Sequence, residues 1–499
     1  MKKINYILIS LLVLMSFSCK KFLEEKPTGF ISPDANLTSK KVAQAYTVGC
    51  YKYLQGFLAG QPSSYGGNVY NVMEFLTGKS NSDLGQTGFS TFSSLSYIPS
   101  SFYFDTWWQQ LYLGVGACNL AIEKLPTFTV LTDVEKTNML AEAKALRALY
   151  YFYLVRMYGA VPKVTQMAQD LNIYFPRTPA KQIYDEIIIP DLVAAANSTL
   201  PWRATTVSLG FIHSLTADVY LTYAGAAING GADYYAKSAA ESKMVIEQSG
   251  NTLFKEYTDM INPANKGIGE FIFQVQYSAA VPSTNPLTAL LIPNYSGISK
   301  YSDEYGSVYP TSQFLATYLP GDKRRAEKQF FYSSYKSIKD NSIVTFRQPY
   351  IYKFFDSLAV TSTAKSDLNF TIYRLADVEL MYAEASNRAT GTQDALATQS
   401  VNDIRGRAQL TPIGKMSMTD FEHEVWIQRY WELCYENKMW FDMLRTRKVH
   451  NDVTGNWDDF IGHTTVFGAT FAEKNLLFPV PQQEIDANQN LLPNNPGFK

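Results

Sequence analysis

The sequence predicts a mainly α-helical fold, in which helical hairpins form a scaffold that carries a loop-rich insert. Two observations lead to this prediction. Apolar residues recur at three- and four-residue steps over most of the chain, and two long stretches interrupt that pattern. Because 46% of the 499 residues are hydrophobic and 18% are charged, the chain can also bury a large core.

The N-terminus predicts a bacterial export signal that ends at a lipid-carrying cysteine. Lys2 and Lys3 precede an apolar run over residues 4–15, and small residues then lead to Cys19. The run is shorter than the ~20 apolar residues that span a bilayer, so we predict that residues 1–18 are a cleaved signal peptide.

Cys19 then becomes the first residue of the mature chain, where its thiol can carry acyl chains and anchor the protein to a membrane. Phe17 departs from the small residues that usually precede such a cysteine, so a cleaved signal without lipid is the alternative. Residues 19–36 are polar, mixed in charge and broken by Pro27 and Pro33, which predicts a tether.

The helices are predicted from their apolar stripes and their ends. Thr132 and Glu135 form a capping-box pattern at the start of a helix that Gly159 ends. Similar stripes over residues 108–122 and 375–389 predict helices with one buried face. Further helices are predicted at about 38–58, 180–196, 208–228, 233–249, 393–409 and 418–446. Their pairing through short turns indicates tetratricopeptide-like hairpins, although the sequence has no strict 34-residue period.

Two long regions lack the helical pattern, residues 60–104 and about 250–370. Both are rich in Gly, Ser, Asn, Pro and Tyr, and the second contains strand-like pieces at 270–277 and 343–355. Loops of this length inside a compact domain are usually functional or disordered, and their aromatic content argues against disorder. We therefore expect a helical scaffold at about 37–249 and 370–450 and an insert at about 250–370.

Composition narrows the class of partner. The formal charge of −1 and a pI near 6.5 offer no basic field for nucleic acid, so we expect no nucleic-acid partner. Cys50, Cys118 and Cys434 have no close spacing and are interpreted as buried apolar residues rather than as disulfide partners. Trp108 lies on the apolar stripe of its helix and is predicted to be in the core, whereas the role of Trp107 stays open.

Five short blocks stand in a fixed order along the chain. They are CKKFLEEKP at 19–27; AEAKALRA at 141–148 with YY at 150–151 and YGAVP at 158–162; YRLADVELMYAEA at 373–385; the segment 429–445; and FPVP at 478–481 with EI at 484–485 and NPGF at 495–498. With these blocks the chain resembles the SusD/RagB family, the surface nutrient-binding lipoproteins of Bacteroidetes. The resemblance covers essentially the whole mature chain.

The resemblance implies a single SusD-like domain over residues 37–499, with tetratricopeptide-like helical pairs beneath an irregular insert. It also implies a lipid-anchored location on the outside of the outer membrane. There the family caps a SusC-like TonB-dependent transporter, captures oligosaccharide or in some members peptide, and delivers it into the barrel. No covalent chemistry and no cofactor are implied.

The fourth block departs from the family pattern at three positions. Gln428 stands before Arg429 where the pattern has glutamate, Asn437 stands where it has glycine, and Met439 stands where it has arginine. The residues that match are Arg429, Glu432, Leu433, Glu436 and Asp442. On a helix Arg429, Glu432 and Glu436 would share a face, so we predict that they and Asp442 form a structural ion-pair network rather than a catalytic group.

Enzymatic alternatives find little support in the sequence. It contains no Gly-x-Ser-x-Gly elbow, Walker loop or Cys-x-x-Cys, and Ile427 occupies the place of the second histidine in a zincin motif that would begin at His423. Nothing identifies the carboxylate pair that glycoside hydrolysis needs. We predict a non-enzymatic protein without metal; a scaffold lipoprotein that holds another protein on its helical hairpins is the third class considered.

Two stretches combine tyrosines with short polar side chains, as a sugar site requires. Sugar rings stack on aromatic rings, and Asn or Asp side chains hydrogen-bond the hydroxyls. The first stretch holds Tyr65, Tyr70, Asn81, Asp83, Tyr97 and Tyr103, and the second holds Asn294, Tyr295, Tyr301, Asp303, Tyr305 and Tyr309. The family's ligand surface is built from loops of the same two regions. The alternative is that the polar residues cap turns and the tyrosines pack beneath the loops.

Overall fold

The computed structural model describes residues 38–60, 69–84, 90–167, 173–280 and 283–498. Cys19 and Tyr65, which carry two of the predictions, lie outside these ranges. None of the helices in the described ranges is both long enough and apolar enough to cross a membrane.

Seventeen α-helical segments and ten short strands occur in the described part of the chain. The helices are α1 Lys40–Gly49, α2 Lys52–Leu58, α3 Val69–Leu76, α4 Ser90–Ser93, α5 Phe102–Lys124, α6 Asp133–Tyr158, α7 Ala180–Ile183, α8 Ile189–Ala196, α9 Leu209–Ala224, α10 Ala232–Gln248, α11 Leu287–Leu291, α12 Ser312–Ala316, α13 Leu375–Thr390, α14 Ala395–Arg407, α15 Met418–Glu432, α16 Met439–Thr446 and α17 Gln482–Ala487. The strands are β1 Ser80–Asn81, β2 Val161–Pro162, β3 Arg177–Thr178, β4 Phe271–Val275, β5 Tyr309–Pro310, β6 Phe331–Lys336, β7 Ile343–Ile351, β8 Phe370–Arg374, β9 Lys448–His450 and β10 Trp457–Asp459. The mainly α-helical prediction is confirmed.

The long helices form the scaffold; most pack against helices near them in sequence, and α10 packs on α13 across the insert. Helix α5 packs on α6, α6 on α8, α9 on α10, α10 on α13, and α13 on both α14 and α15. Most of their inward faces, together with residues of the loops, form one large apolar cluster, and a smaller cluster lies between α13, α14 and α15. Short connections between such helices favour adjacent packing, which is why the hairpin pattern is visible in the sequence.

Local signals place the ends of α6 correctly. The Thr132 hydroxyl accepts a hydrogen bond from the Glu135 backbone N–H at 3.2 Å, and the Glu135 carboxylate accepts one from the Thr132 N–H at 2.8 Å. The helix ends where Gly159 takes a φ of +70°, and the Leu477 side chain occupies the space that a Cβ would need. The predicted capping box and glycine stop are both confirmed.

The prediction of one continuous helix over 418–446 is wrong. Helix α15 ends at Glu432 and α16 begins at Met439, with a buried turn between them. In this turn Tyr435 and Asn437 have φ values of +62° and +58°. Asparagine tolerates the left-handed region better than most residues, which explains how it stands in the place of the family's glycine.

Two other predicted helices are interrupted for local reasons. The first, at 38–58, is divided into α1 and α2 at Cys50 and Tyr51. The second continues from α7 through a π-helical turn, Tyr184–Ile188, into α8, whose second residue is Pro190. Because proline has no N–H, the regular hydrogen bond at that point is missing, and the wider turn accommodates the break.

The aromatic residues near the start of α5 belong to the core. Trp107 is fully buried and Trp108 is 4% exposed, so the prediction for Trp108 is confirmed and the open question about Trp107 is answered the same way. Cys50, Cys118 and Cys434 are buried and free, as predicted. Many of the aromatic side chains therefore fill space between helices.

The insert lies between α10 and α13 and has its own small apolar core. Strand β4 pairs with β8, and β6 forms an antiparallel hairpin with β7, so the predicted strands at 270–277 and 343–355 are confirmed with shorter bounds. A separate cluster of buried side chains supports this hairpin and comprises Ile292, Ile298, Tyr332, Tyr350, Tyr352, Phe355 and Val360. The insert is thus a packed unit rather than an open loop.

Candidate ligand-binding site

The structure brings the two predicted stretches together through a short pair of strands. Strand β1 pairs antiparallel with β5, so that Ser80 lies opposite Pro310 and Asn81 opposite Tyr309. The Asp83 N–H donates to the Gly306 carbonyl at 2.9 Å and extends the contact. Residues more than 200 positions apart in sequence therefore share one surface.

Asp83 is the centre of this contact. Its carboxylate accepts hydrogen bonds from the Tyr350 hydroxyl at 2.6 Å, from Gln348 Nε2 at 3.1 Å and from the Asn294 backbone N–H at 3.1 Å. Burial and the adjacent Asp83 carboxylate raise the pKa of Tyr350, which keeps its hydroxyl a donor. With these three partners the Asp83 carboxylate positions the loop around Asn294. Its capacity to accept hydrogen bonds is largely satisfied within the protein.

The loop that follows Asn294 presents Tyr295 to solvent. Tyr295 has a left-handed backbone, with a φ of +48°, and its side chain is 94% exposed. The Glu304 carboxylate holds the loop from within, because it accepts the Ser296 hydroxyl at 2.8 Å, the Gly297 N–H at 2.9 Å and the Ser299 N–H at 3.0 Å. The geometry thus combines an exposed aromatic ring with a backbone that is fixed by hydrogen bonds.

Three more residues of the second stretch lie around this loop. Tyr309 is half-buried, with its ring 5.4 Å from that of Tyr350, and Tyr301 packs partly buried against the insert's apolar cluster. Tyr305 packs partly buried against the main core, and its carbonyl accepts from Asn294 Nδ2 at 3.3 Å. These tyrosines support the loop more than they extend its exposed surface.

The exposed polar residues at this surface are Asn81 and Asp303. The Asn81 Oδ1 accepts from the Ser82 N–H at 2.8 Å and so caps a turn, while its Nδ2 has no hydrogen-bond partner among the described residues. Within the described ranges, the Asp303 carboxylate accepts a single long hydrogen bond, from the Ser302 hydroxyl at 3.3 Å. Both side chains can therefore reach a bound molecule.

The structure corrects three members of the first stretch. Tyr70 is fully buried and packs edge-on against Phe354 and Phe370, with ring centres 5.4 and 6.1 Å away. Tyr97 is 4% exposed, and its hydroxyl accepts from Asn475 Nδ2 at 3.0 Å.

Tyr103 is partly buried beside the Phe92 ring, 5.3 Å away, and burial raises the pKa of its hydroxyl to about 12. Like Tyr70 on α3 and Tyr97 just before α5, Tyr103 in the first turn of α5 packs its ring against the core. The proposed ligand surface therefore excludes these three rings.

Gln348 and Tyr350 take part in the site but were not predicted. They lie on the face of β7 that also carries Val344 and Phe346, while residues 343, 345 and 347 are exposed. A polar glutamine on the otherwise apolar face of an alternating strand is the signal that points to a buried hydrogen-bond partner.

The predicted ion-pair residues all form ion pairs, but not in one network. Arg429 binds Asp377 and Asp442, each at 2.9 Å, and Arg445 also binds Asp442, at 2.8 Å. Lys438 binds the other oxygen of Asp377 at 2.7 Å. Although burial alone would raise it, the charges of Lys438 and Arg429 lower the pKa of Asp377 to about 2.

Glu432 belongs to a second group that joins the insert to the scaffold. It binds Arg374 at 2.8 Å, Arg407 at 2.7 Å and Arg324 at 3.4 Å. Arg374 in turn binds Glu436 at 2.8 Å. The prediction of one shared helical face is wrong because α15 ends at Glu432, and the turn that follows directs Glu436 back onto Arg374.

Comparison with known proteins identifies the family. A family model described as SusD family matches residues 308–498, and one described as "Starch-binding associating with outer membrane" matches residues 21–208. A solved SusD superfamily protein from Parabacteroides distasonis is 44% identical, covers 92% of this chain and 100% of its own, and has a TM-score of 0.88. The chain belongs to the SusD family. The resemblance seen in the five sequence blocks is thus confirmed.

More distant relatives match most or all of the length of this chain. The SusD-like protein P2 of Formosa agariphila is 26% identical over the whole of both chains, and a SusD-like protein of Bacteroides ovatus is 25% identical over 89% of this chain and 82% of its own. A surface glycan-binding protein A from Bacteroides thetaiotaomicron, solved in complex with laminarihexaose, is 20% identical and has a TM-score of 0.73, with 92% of this chain and all of its own covered. This likeness, at 20% identity, shows that the two proteins share a fold.

In the parts of the chain that the structure describes, no group of three or more His, Cys, Asp or Glu side chains is placed to hold a metal ion. The site of this SusD family member thus consists, in those parts, of one exposed aromatic ring, exposed amide and carboxylate groups, and the hydrogen-bonded Asp83 centre beneath them.

Proposed function

We propose that this SusD family protein binds an oligosaccharide at the surface around Tyr295 and does so without covalent chemistry. The observation that carries the proposal is the Tyr295 ring, 94% exposed on a loop that the Glu304 carboxylate fixes from within. A sugar ring can stack its apolar face on such a ring without displacing protein contacts. Because the loop is already ordered, binding loses little backbone entropy.

The polar groups around Tyr295 complete the requirements for a sugar. Asn81 and Asp303 are exposed and can hydrogen-bond hydroxyl groups, and the strand pairing of Asn81 with Tyr309 brings both predicted stretches to this surface. Proteins of the same fold carry the names "Laminarin binding SusD-like protein" and "Surface glycan-binding protein A". They support a glycan as the ligand class.

The proposal includes the location and partner that the family resemblance implies. The lipid on Cys19 anchors the protein to the outside of the outer membrane, and residues 19–36 tether the body. From there it delivers the bound glycan to a SusC-like TonB-dependent transporter. The family description that mentions association with the outer membrane supports the membrane part of this proposal.

Affinity electrophoresis and isothermal titration against a panel of neutral and acidic glycans test the binding proposal. The protein for these experiments is the mature chain with Cys19→Ala. We expect at least one glycan to bind and Tyr295→Ala to weaken it by about 1–3 kcal/mol, the range of a lost stacking contact and its buried area. Tyr174→Ala is the matched control, because Tyr174 is also an exposed tyrosine, at 54%, and lies in a different loop.

Three results would contradict the proposal. Equal loss of binding in the Tyr295 and Tyr174 variants would show that Tyr295 is not the stacking surface. Silence of every glycan, together with binding of peptides, would favour the peptide or glycopeptide alternative. If neither class binds while another protein copurifies, the scaffold alternative gains support.

A further inference from the structure

A second cleft lies in the helical scaffold and shares no residue with the Tyr295 surface. Its volume is about 460 Å³, and it is bounded by the end of α6, by α7, by the segment after α9, by the end of α16 and by the C-terminal segment. Its rim residues Pro179, Ala227 and Pro496 are exposed, so solvent can enter it. We propose that this cleft binds a small organic anion that carries an apolar body.

The walls of the cleft are largely apolar. Val155, Tyr184, Ile228, Phe441, Leu444 and Leu477 contribute side chains to it. Ligand sites of about 300–1,000 Å³ are typically lined in this way, with a few polar groups that fix orientation. The walls therefore suit the aliphatic or aromatic part of a ligand.

The charged groups in the cleft are mostly cations. Among the described residues that line it, Arg156, Arg445, Arg447 and Lys474 stand against one carboxylate, the exposed Glu473. Arg445 is neutralised, because it binds Glu384 and Asp442. The other three cations determine the charge that a ligand meets.

Arg447 is the least compensated of them. It is half-buried in a left-handed conformation, with a φ of +57°, and its Nη1 donates to the Leu444 carbonyl near the end of α16. Among the described residues no carboxylate lies within ion-pair distance of it. Burial lowers the pKa of its guanidinium, with no opposing charge to offset it.

Arg156 and Lys474 are also weakly paired. The Arg156 guanidinium lies between the rings of Phe152 and Phe441, 3.7 and 4.0 Å from their centres, and Asp218 approaches it only to 3.8 Å. Within the described ranges Lys474 forms no ion pair or hydrogen bond through its side chain. The cleft thus has positive charge in excess, set in apolar walls.

This combination selects the class of ligand. A guanidinium presents parallel N–H donors that match the two oxygens of a carboxylate or phosphate, and such charge-assisted hydrogen bonds are stronger away from water. A neutral sugar would leave the excess charge unpaired, and a bare inorganic ion would leave the apolar walls wet. An amphiphilic organic anion satisfies both parts of the cleft.

Binding of defined probes tests the inference independently of the glycan proposal. Isothermal titration with 4-phenylbutyrate and with phenyl phosphate, against the uncharged 4-phenylbutyramide, uses the same mature chain. We expect one or both anions to bind and the amide not to. Arg447→Gln is expected to weaken anion binding about tenfold or more, the usual effect of losing a hydrogen bond to a charged group.

Two further variants keep the test decisive. Arg347→Gln removes an exposed arginine of β7, outside the cleft, and should leave anion binding unchanged. Lys474→Gln removes a second cation of the cleft and should also weaken anion binding, so it tests the inference even where Arg447→Gln impairs folding. Equal binding of the amide, wild-type affinity in both cleft variants, or no binding of either anion at millimolar concentration would overturn the inference. Glycan binding, which depends on Tyr295, is expected to survive the cleft variants, so the two proposals fail separately.

Discussion

Glu74 should make the stability of this protein fall as pH rises, and the effect is large enough to measure. Its side chain is buried in α3, at 2% exposure, and its Oε1 accepts the Asn437 N–H at 3.1 Å in the turn between α15 and α16. Burial raises the pKa of Glu74 from 4.5 to about 8. Lys353 is the nearby cation that opposes this, but Lys353 is itself bound to Glu436.

The sign follows from proton linkage. Because the folded state holds its proton more tightly, folding is favoured below pH 4.5, and this contribution is lost progressively as pH rises to about 8. At about 1.4 kcal/mol for each pH unit, the full loss amounts to about 5 kcal/mol. Glu74→Gln keeps a hydrogen-bond acceptor of the same shape and removes the titration, so its stability relative to wild type should rise between pH 5 and pH 8.5.

Urea unfolding at pH 5, 7 and 8.5 measures this difference, with the free energy of unfolding compared at each pH. Glu135→Gln is the control. The hydrogen bond from Lys40 lowers the pKa of the exposed Glu135 to about 2, so its difference from wild type should stay constant above pH 5. If the difference in the free energy of unfolding between Glu74→Gln and wild type is the same at all three pH values, the argument that Glu74 is protonated in the core is refuted.

Three other variants test particular contacts. Glu432→Gln removes the buried carboxylate that Arg324, Arg374 and Arg407 share, so that one positive charge among them is left uncompensated. The free energy of unfolding should fall by about 3–5 kcal/mol, and an unchanged urea midpoint would contradict the second ion-pair group. Thr132→Ala should cost about 1 kcal/mol through loss of the α6 cap, and Thr132→Ser should restore most of it in thermal unfolding. Cys19→Ala should move the protein from the membrane fraction to the supernatant, and unchanged fractionation would contradict the predicted lipid anchor.

Most helices were predictable because their signals are local. Capping residues, glycine stops and apolar stripes act within a few positions, and the scaffold follows them closely around Thr132 and Gly159. The helix over 418–446 failed because its break depends on a distant partner. The turn at Asn437 forms against Glu74, more than 360 positions earlier in the chain.

The candidate site was only partly predictable for a related reason. The composition of the two stretches indicated aromatic and polar groups, but each tyrosine looked the same in sequence. Tyr70 is buried against Phe354 and Phe370, whereas Tyr295 is turned outward by a loop that Glu304 organises. Exposure is decided by packing and hydrogen bonds between separate segments, and no local pattern reports it.

By itself the sequence determined the family, the helical scaffold and the position of the insert, since these depend on ordered motifs and on the 3.6-residue period of apolar side chains. Only the tertiary structure decided which residues meet. It paired Asn81 with Tyr309, placed Asp83 beneath Asn294, and gathered Arg156, Arg447 and Lys474 around one cleft. Such contacts join segments that are far apart in the chain, and their energy comes from burial and charge pairing that exist only once the chain has folded.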